Sequence, residues 1–416
     1  MKSKGMLLTA LGCLGAIAVL GQAPAQQPAA PAPQQGPGVQ APQDARYAEF
    51  RASKCKPAPA PAAAGGGGRG PGGGGGGGGA APAGPPMHRE YTVTEIPGVI
   101  AAGQRWKSVW TGRGNNADGM IATADGGILV AQNTDSTVMK IDKDGKVSIA
   151  YRDTNTGGAV SMNKAGALFL VSRGFPTSVM QLAPTRKIHA DTYNGQPLDC
   201  IGGTINDLTA DSKGGVYFTM DPRIQGVTAG VYYANAKGVV TKYGTLNGVN
   251  GIILSPDERT LYVTGRIPTP GAAPAAGAAG GGAAPAGGGA AGGGRGAGGG
   301  GAGGGGGAAG GLVAFEVQAD GSLTNERQFA TVGGDGTAVD SQGRIYTTTL
   351  GQNSGDIQVL SPDGKVLGSI PLPLNMITVA FSGPDKKTLY GAFNNRDYDE
   401  IFMIQMIAQG PRDRAK

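Results

Sequence analysis

The chain has 416 residues, of which 79 are Gly and 28 are Pro, and it carries a net charge of +6 with only two His. The glycines follow no three-residue period, which excludes collagen. Nothing beyond the leader approaches 18 continuous apolar residues, which excludes a bundle of membrane-spanning helices, and two His leave no room for a His-rich zinc centre or a His-based triad.

Met1 to Ala25 reads as a secretory signal peptide: Lys2 and Lys4 form the basic start, Gly5 to Gly21 the apolar stretch, and Ala23-Pro24-Ala25 the small residues before cleavage. A lipoprotein signal ending at Cys13 is the rival reading, and Ala10-Leu11-Gly12 fits it poorly. The expected address is therefore exported, periplasmic or extracellular. Export leaves two cysteines, Cys55 and Cys200. An oxidising space permits their pairing, but the sequence favours two unpaired thiols, one of them in a flexible tail.

Residues 26–89 read as a disordered Pro/Ala/Gly-rich linker. One island in it, Asp44 to Lys56, carries Tyr47, Phe50 and Cys55 and has the make-up of a short docking helix. Residues 268–311 form a second low-complexity tract, broken by Arg295. Without leader and tracts about 280 residues remain, enough for one sizeable domain or two small ones. Lys and Arg are scattered with no aromatic-interleaved basic run, so the basic balance does not imply nucleic acid.

Residues 90–410 carry one pattern six times: an apolar strand, a polar turn with Gly, and a second β-rich strand. The copies begin at Asp118, Gly158, Asn206, Asn250, Asp335 and Ile377, at spacings of 40, 48, 44, 85 and 42 residues. The spacing of 85 contains the second low-complexity tract, so the underlying step is near 41. This spacing and strand content predict an all-β fold, a six-bladed β-propeller of four-stranded blades. Tyr91 to Ile96 is expected to supply the outer strand that closes the ring with the last blade. The second tract follows Tyr262-Val263-Thr264, at the top of a second strand, and is expected on the face that carries the blade starts.

Those starts read Asp118, Gly158, Asn206, Asn250, Asp335 and Asn375 or Met376, so four of six offer oxygen ligands around one channel mouth. Such a donor set suits one hard divalent cation, calcium first, with magnesium, manganese or zinc as alternatives. Asp207 and Asp211 read as turn and strand-end residues. His189 falls in an outer strand of the second blade as a packing residue, and Trp106 and Trp110 read as packing too. No Ser lies in a nucleophile elbow, which argues against covalent catalysis.

Asp118-Gly-Met-Ile-Ala, Asn206-Asp-Leu-Thr-Ala-Asp, Val249-Asn-Gly-Ile, Gly334-Asp-Gly-Thr-Ala-Val-Asp and Ser382-Gly-Pro-Asp-Lys-Lys-Thr-Leu-Tyr occur in the order and spacing of a known family. They resemble the senescence-marker-protein/gluconolactonase (regucalcin-like) family. The resemblance implies a six-bladed propeller with one divalent metal at its mouth, hydrolysing a lactone or similar ester. It implies Asp118, Asn250 and Asp335 as metal ligands, Asn206 as a contact to substrate or to the attacking water, and Asp335 as catalytic general base. Two positions depart from the family. Glu is usual where Asp118 stands, and sugar-lactone members often carry Arg where Thr204 stands. The competing expectation is a non-catalytic metal-stabilised propeller that binds a sugar, peptide or partner protein. The expected partner is a small-molecule lactone or ester, with no nucleic acid and no membrane span, and the closed ring is expected to be a monomer.

Overall fold

The computed structural model describes residues 41, 44–56, 85–222, 229–268, 311–349, 355–395 and 397–413. The leader and most of both low-complexity tracts lie outside the described residues. Six four-stranded antiparallel sheets form the blades, each running from an innermost to an outermost strand. The first blade takes Ala117–Ala122, Ile128–Gln132, Thr137–Ile141 and Val147–Tyr151. Gly157–Met162 opens the second, Gly203–Ala210 the third, Ile252–Leu254 the fourth, Thr337–Val339 the fifth and Thr378–Ser382 the sixth. The fold is thus the six-bladed propeller expected from the repeat.

The strand pattern shows why the sequence closes this way. In Ile128–Gln132 every residue is buried, and alternate side chains go to opposite sides. Ile128 and Val130 pack with Ala380 and Tyr390 of the sixth blade, whereas Leu129 and Ala131 pack with Val160 and Leu168 of the second. Six apolar clusters arise in this manner, one for each seam between neighbouring blades. Each fully buried Leu, Ile or Val in a seam contributes about 1.5–3 kcal/mol of apolar burial. Outermost strands such as Val147–Tyr151 are largely exposed. At the end away from the site, Asp211 holds a turn by accepting the amides of Lys213 and Gly215, with Gly214 at φ +85, a conformation that favours glycine.

The ring closes through Lys107–Arg113, which pairs antiparallel with Tyr398–Gln405 of the sixth blade. This corrects the expectation for Tyr91 to Ile96. Pro97 and Gly98 (φ +69) turn the chain back directly after Ile96, leaving only an isolated bridge from Ile96 to Ile100. Val93, Ile96, Val99 and Ile100 instead bury their side chains in the seam between the fifth and sixth blades.

A second correction concerns the cysteines. Cys55 and Cys200 are bonded as a disulfide, 145 residues apart in sequence. Within the stretch read as linker, the Asp44–Lys56 island forms the helix Tyr47–Lys54 against the second and third blades. The Tyr47 hydroxyl donates to the Asp199 carbonyl at 2.9 Å, and the Phe50 ring meets Phe175 edge-on at 4.9 Å. Two aromatic rings give this short segment the apolar area that its Pro/Ala/Gly flanks lack, and the bridge holds it in place. Among the described residues no helix is long and apolar enough to cross a membrane.

Candidate functional site

The innermost strands bring the expected residues to one mouth by two local devices. In the first three blades the strand bulges where the repeat begins. Pairing shifts between Ala117 and Met120, between Gly157 and Val160, and between Ile205 and Leu208, so Asp118, Gly158 and Asn206 all lie in bulges. A bulge re-aims side chains that would otherwise point into a seam. In the fourth and fifth blades the strand is shorter, and Asn250 and Asp335 stand two residues before Ile252 and Thr337. Small residues follow for a packing reason. A Cβ on Gly251 would meet the Asp335 carbonyl, and one on Gly336 would meet the backbone of Thr378, so the mouth closes only if these positions stay bare.

Hydroxyls on the second strands stitch each blade to the next. Thr219 donates to the carbonyl of Asn250 at 2.7 Å, Thr264 to that of Gly334 at 2.7 Å, and Thr348 to that of Ile377 at 3.2 Å. These three threonines hold equivalent registers in the third, fourth and fifth blades. In the second blade the equivalent residue is Val171, which has no donor. Arg173, two residues further on, takes over the stitch. Its Nε donates to the Ile205 carbonyl at 2.9 Å and its Nη2 to the Asn206 carbonyl.

The same guanidinium reaches back to the first blade. Nη1 donates to Asp118 Oδ2 at 2.5 Å and to Asn133 Oδ1 at 3.3 Å. It lies over Gly158, where any Cβ would strike it, so the blade start that offers no ligand of its own makes room for a cation. Arg173 is only 4% exposed. Sequence reasoning missed this residue. The available signals were Gly158 among Asp and Asn starts, and the absent hydroxyl at Val171.

Asp335 and Asn250 make up the other half of the mouth. The Asn250 amide donates a side-chain hydrogen bond to the Asp335 carboxylate, and Asp118, Asp207 and Arg173 all lie within electrostatic reach of it. Asp335 retains some surface accessibility at the mouth, but its carboxyl is hemmed in closely enough to lose most of its water. That desolvation, reinforced by the charges of Asp118 and Asp207 and opposed by Arg173 and Asn250, pushes its pKa up to about 8. The amide oxygen of Asn250, Oδ1, is buried and accepts no hydrogen bond. An unpartnered buried acceptor costs about 1–3 kcal/mol.

Two further carboxylates brace the strands that carry the mouth residues. Asp399 accepts the amides of Asn115 and Ala117, both at 3.0 Å, and so fixes the strand start that carries Asp118; burial raises its pKa to about 6. Asp207 accepts the amides of Leu208 and Ile252 at 2.8 and 3.2 Å, bracing the third blade on the fourth while adding its charge to the mouth. Asp211 is the turn residue expected from sequence and also accepts the Tyr233 hydroxyl at 2.8 Å. His189 packs edge-on against Phe169 in the outer strand of the second blade. Trp106 is buried, its indole donating to the Pro371 carbonyl at 2.9 Å, and Trp110 packs against the seam of the first and sixth blades. Gly265 and Gly311, on either side of the second low-complexity tract, are joined by a 2.9 Å backbone hydrogen bond, and the face expected for the tract itself lies outside the described residues.

No three side chains of the His, Cys, Asp and Glu types come together as a metal site among the described residues. The mouth offers two carboxylates, Asp118 and Asp335, with the amide oxygen of Asn250. This set fits a hard divalent cation on two observations: an acceptor at Asn250 that nothing satisfies, and a carboxyl at Asp335 that its neighbours penalise when charged. With Asp118, Asp207 and Asp335 ionised, three negative charges stand near the one Arg173 guanidinium. The excess matches the charge of a single divalent ion.

Comparison with known proteins bears out the family resemblance. The SMP-30/gluconolactonase/LRE-like region matches residues 307–392. Lactonase drp35 of Staphylococcus haemolyticus is 29% identical over 167 residues, 36% of this chain and 48% of that one. The 6-deoxy-6-sulfogluconolactonase of Pseudomonas putida is 41% identical over 81 residues, 18% of this chain and 27% of that one. The chain thus spans about half the length of the curated drp35 relatives it matches. The fold is similar to that of a gluconolactonase from Xanthomonas campestris, with a TM-score of 0.54 at 19% identity over 78% of this chain and 96% of that one. It is also similar to regucalcin from Agrobacterium tumefaciens, a calcium-binding protein, with a TM-score of 0.50 at 15% identity over 74% and 98% of the two chains.

Proposed function

We propose that the protein is an exported hydrolase that opens a lactone or similar ester at the propeller mouth with the help of one divalent cation, calcium first. The observation that carries this reading is that Asn250 and Asp335 are hydrogen-bonded side by side with Asp118 in electrostatic reach, while the buried amide oxygen of Asn250 has no partner. The lactonase names of the relatives support the reaction class, and the calcium-binding regucalcin supports the choice of ion. The Cys55–Cys200 disulfide supports export, since such bonds persist in oxidising compartments.

Asp118, Asn250 and Asp335 would hold the cation. When bound, it would polarise the substrate carbonyl and stabilise negative charge on the carbonyl oxygen. The remaining steps belong to the chain. Asp335, in its ionised form, accepts a proton from the attacking water. Asn206, in the bulge beside Asp207, presents its side chain to the substrate or to that water, with its own carbonyl fixed by Arg173. The seams beneath keep these groups in register, so little reorganisation accompanies the reaction.

The test is hydrolysis of a panel of small lactones by the full protein, with and without chelator, compared with Asp335→Asn. Turnover that chelator and substitution both abolish supports the reading. A protein that binds calcium yet opens no lactone overturns it in favour of a metal-stabilised binding propeller.

A further inference from the structure

Resting on that reading and deepening it, we propose that Arg173 sets the cation affinity of the mouth by holding the Asp118 carboxylate that a divalent ion would otherwise take undivided. The guanidinium is built into the ring. Its four acceptors come from two different blades: Asp118 and Asn133 from the first, Ile205 and Asn206 from the third. The second blade, which supplies the arginine itself, has only Gly158 at its start, and the guanidinium fills the space above it.

The segment that bears Arg173 is fixed as well. The Arg173 amide donates to the Thr156 carbonyl at 3.3 Å, and its carbonyl accepts the amide of Ala41 at 2.7 Å. Two residues on, Phe175 is met by the rings of Tyr47 and Phe50 and by the Arg46 guanidinium at 5.2 Å. The disulfide from Cys55 to Cys200 anchors that helix. Arg173 therefore has no ready route away from Asp118 when an ion arrives.

The consequence is electrostatic. An ion at the mouth meets, at Asp118, a carboxylate with one oxygen already engaged and a positive charge beside it. Like charges near a desolvated site repel far more strongly than in water. Asn250 and Asp335, to which Arg173 donates no hydrogen bond, then carry the larger share of the coordination. Arg173 touches neither substrate nor reacting atoms in this scheme. It acts through Asp118 and is a positioning residue.

The experiment is calorimetric titration of the chelator-stripped full protein with calcium chloride, for the wild type, Arg173→Met and Arg173→Lys. Methionine keeps an unbranched stem but removes the charge, whereas lysine keeps the charge and loses the planar fork. Arg173→Met is expected to bind calcium at least tenfold more tightly than wild type, and Arg173→Lys to stay within about threefold of it. Circular dichroism and the melting transition confirm that each variant is folded, and Arg173→Gln replaces a methionine variant that is not. Unchanged or weaker binding by the neutral variant overturns the proposal, as does equal tightening by methionine and lysine. If wild type binds calcium and the variants fail to order this way, only the role of Arg173 falls. If none of the three proteins binds calcium, magnesium or manganese, the metal reading of the mouth falls with it.

Discussion

The two halves of the mouth are built differently. On the side of the first three blades, bulged strands place Asp118 and Asn206 around a buried guanidinium, and the groups that Arg173 reaches are satisfied within the protein. On the side of the fourth and fifth blades, Asn250 and Asp335 stand before short strands, with one orphaned amide oxygen and one carboxyl pushed towards protonation. The first half resembles an interior ion pair. The second resembles a site waiting for a cation. Buried groups without partners also occur behind the first half, at Asp399 and Gln132, but at Asn250 and Asp335 the unmet acceptor and the penalised carboxyl stand together among the residues that begin the blades, which is where function is to be sought.

The largest expected effect comes from the unsatisfied half. Asp335→Asn keeps the volume and removes the base, and lactone turnover is expected to fall by about 10²–10⁴-fold, the usual contribution of a general base, while the metal-free protein stays folded by circular dichroism. A variant with near-normal turnover would remove Asp335 from the chemistry. Next in size, Asn250→Ala takes away the orphaned oxygen. Calcium affinity is expected to drop by at least tenfold in calorimetry, whereas the metal-free protein loses less stability, because the departing unmet acceptor offsets part of the hydrogen bond lost at Asp335. Equal losses in both would mean that Asn250 serves the scaffold only.

A third way to sharpen the contrast is pH. The folded-state pKa of Asp335 lies near 8 and that of Asp399 near 6, both above the ordinary carboxylate value of 3.8. Between the unfolded and folded values the native state binds more protons than the unfolded state, so stability is fully present below about pH 4 and declines as pH rises. The melting temperature of the metal-free protein is therefore expected to fall from pH 4 to pH 8. Asp335→Asn should remove the decline above about pH 6, and calcium should reverse it, since a bound cation favours the ionised carboxylate. A flat profile in the metal-free wild type would contradict the burial argument.

The smallest effect at the mouth is expected from Cys200→Ser, which frees the helix Tyr47–Lys54 from its anchor. Proteolysis should cut within 41–56 well before the propeller unfolds, with a modest rise in calcium affinity as the Arg173 segment loosens. Cleavage no faster than in wild type would show that the aromatic contacts of Tyr47 and Phe50 suffice.

Much of this was legible in the sequence, for a physical reason. Each blade must repeat the same strand, turn and strand to fill a seam, so the period survives insertions, and Asp118, Asn206, Asn250 and Asp335 stood out because they precede that unit in register. Arg173 was not legible. It occupies no repeat position and substitutes for a threonine hydroxyl from two residues away, which only the folded register reveals. The closing strand was misplaced because Tyr91–Ile96 and Lys107–Arg113 are both rich in β-formers, and the choice is made by pairing with Tyr398–Gln405 across the whole chain. The disulfide was hidden by 145 residues of separation and by the low-complexity sequence around Cys55.

The central claim is that the unsatisfied half of the mouth holds a divalent cation. Crystals grown with manganese in place of calcium, measured at an anomalous wavelength, test it most directly. The account requires a single strong peak within coordination distance of Asn250 Oδ1 and the Asp335 carboxylate, with Arg173 still paired to Asp118. A mouth without a peak, while Asn250 Oδ1 remains unliganded and the protein still opens lactones, would contradict it.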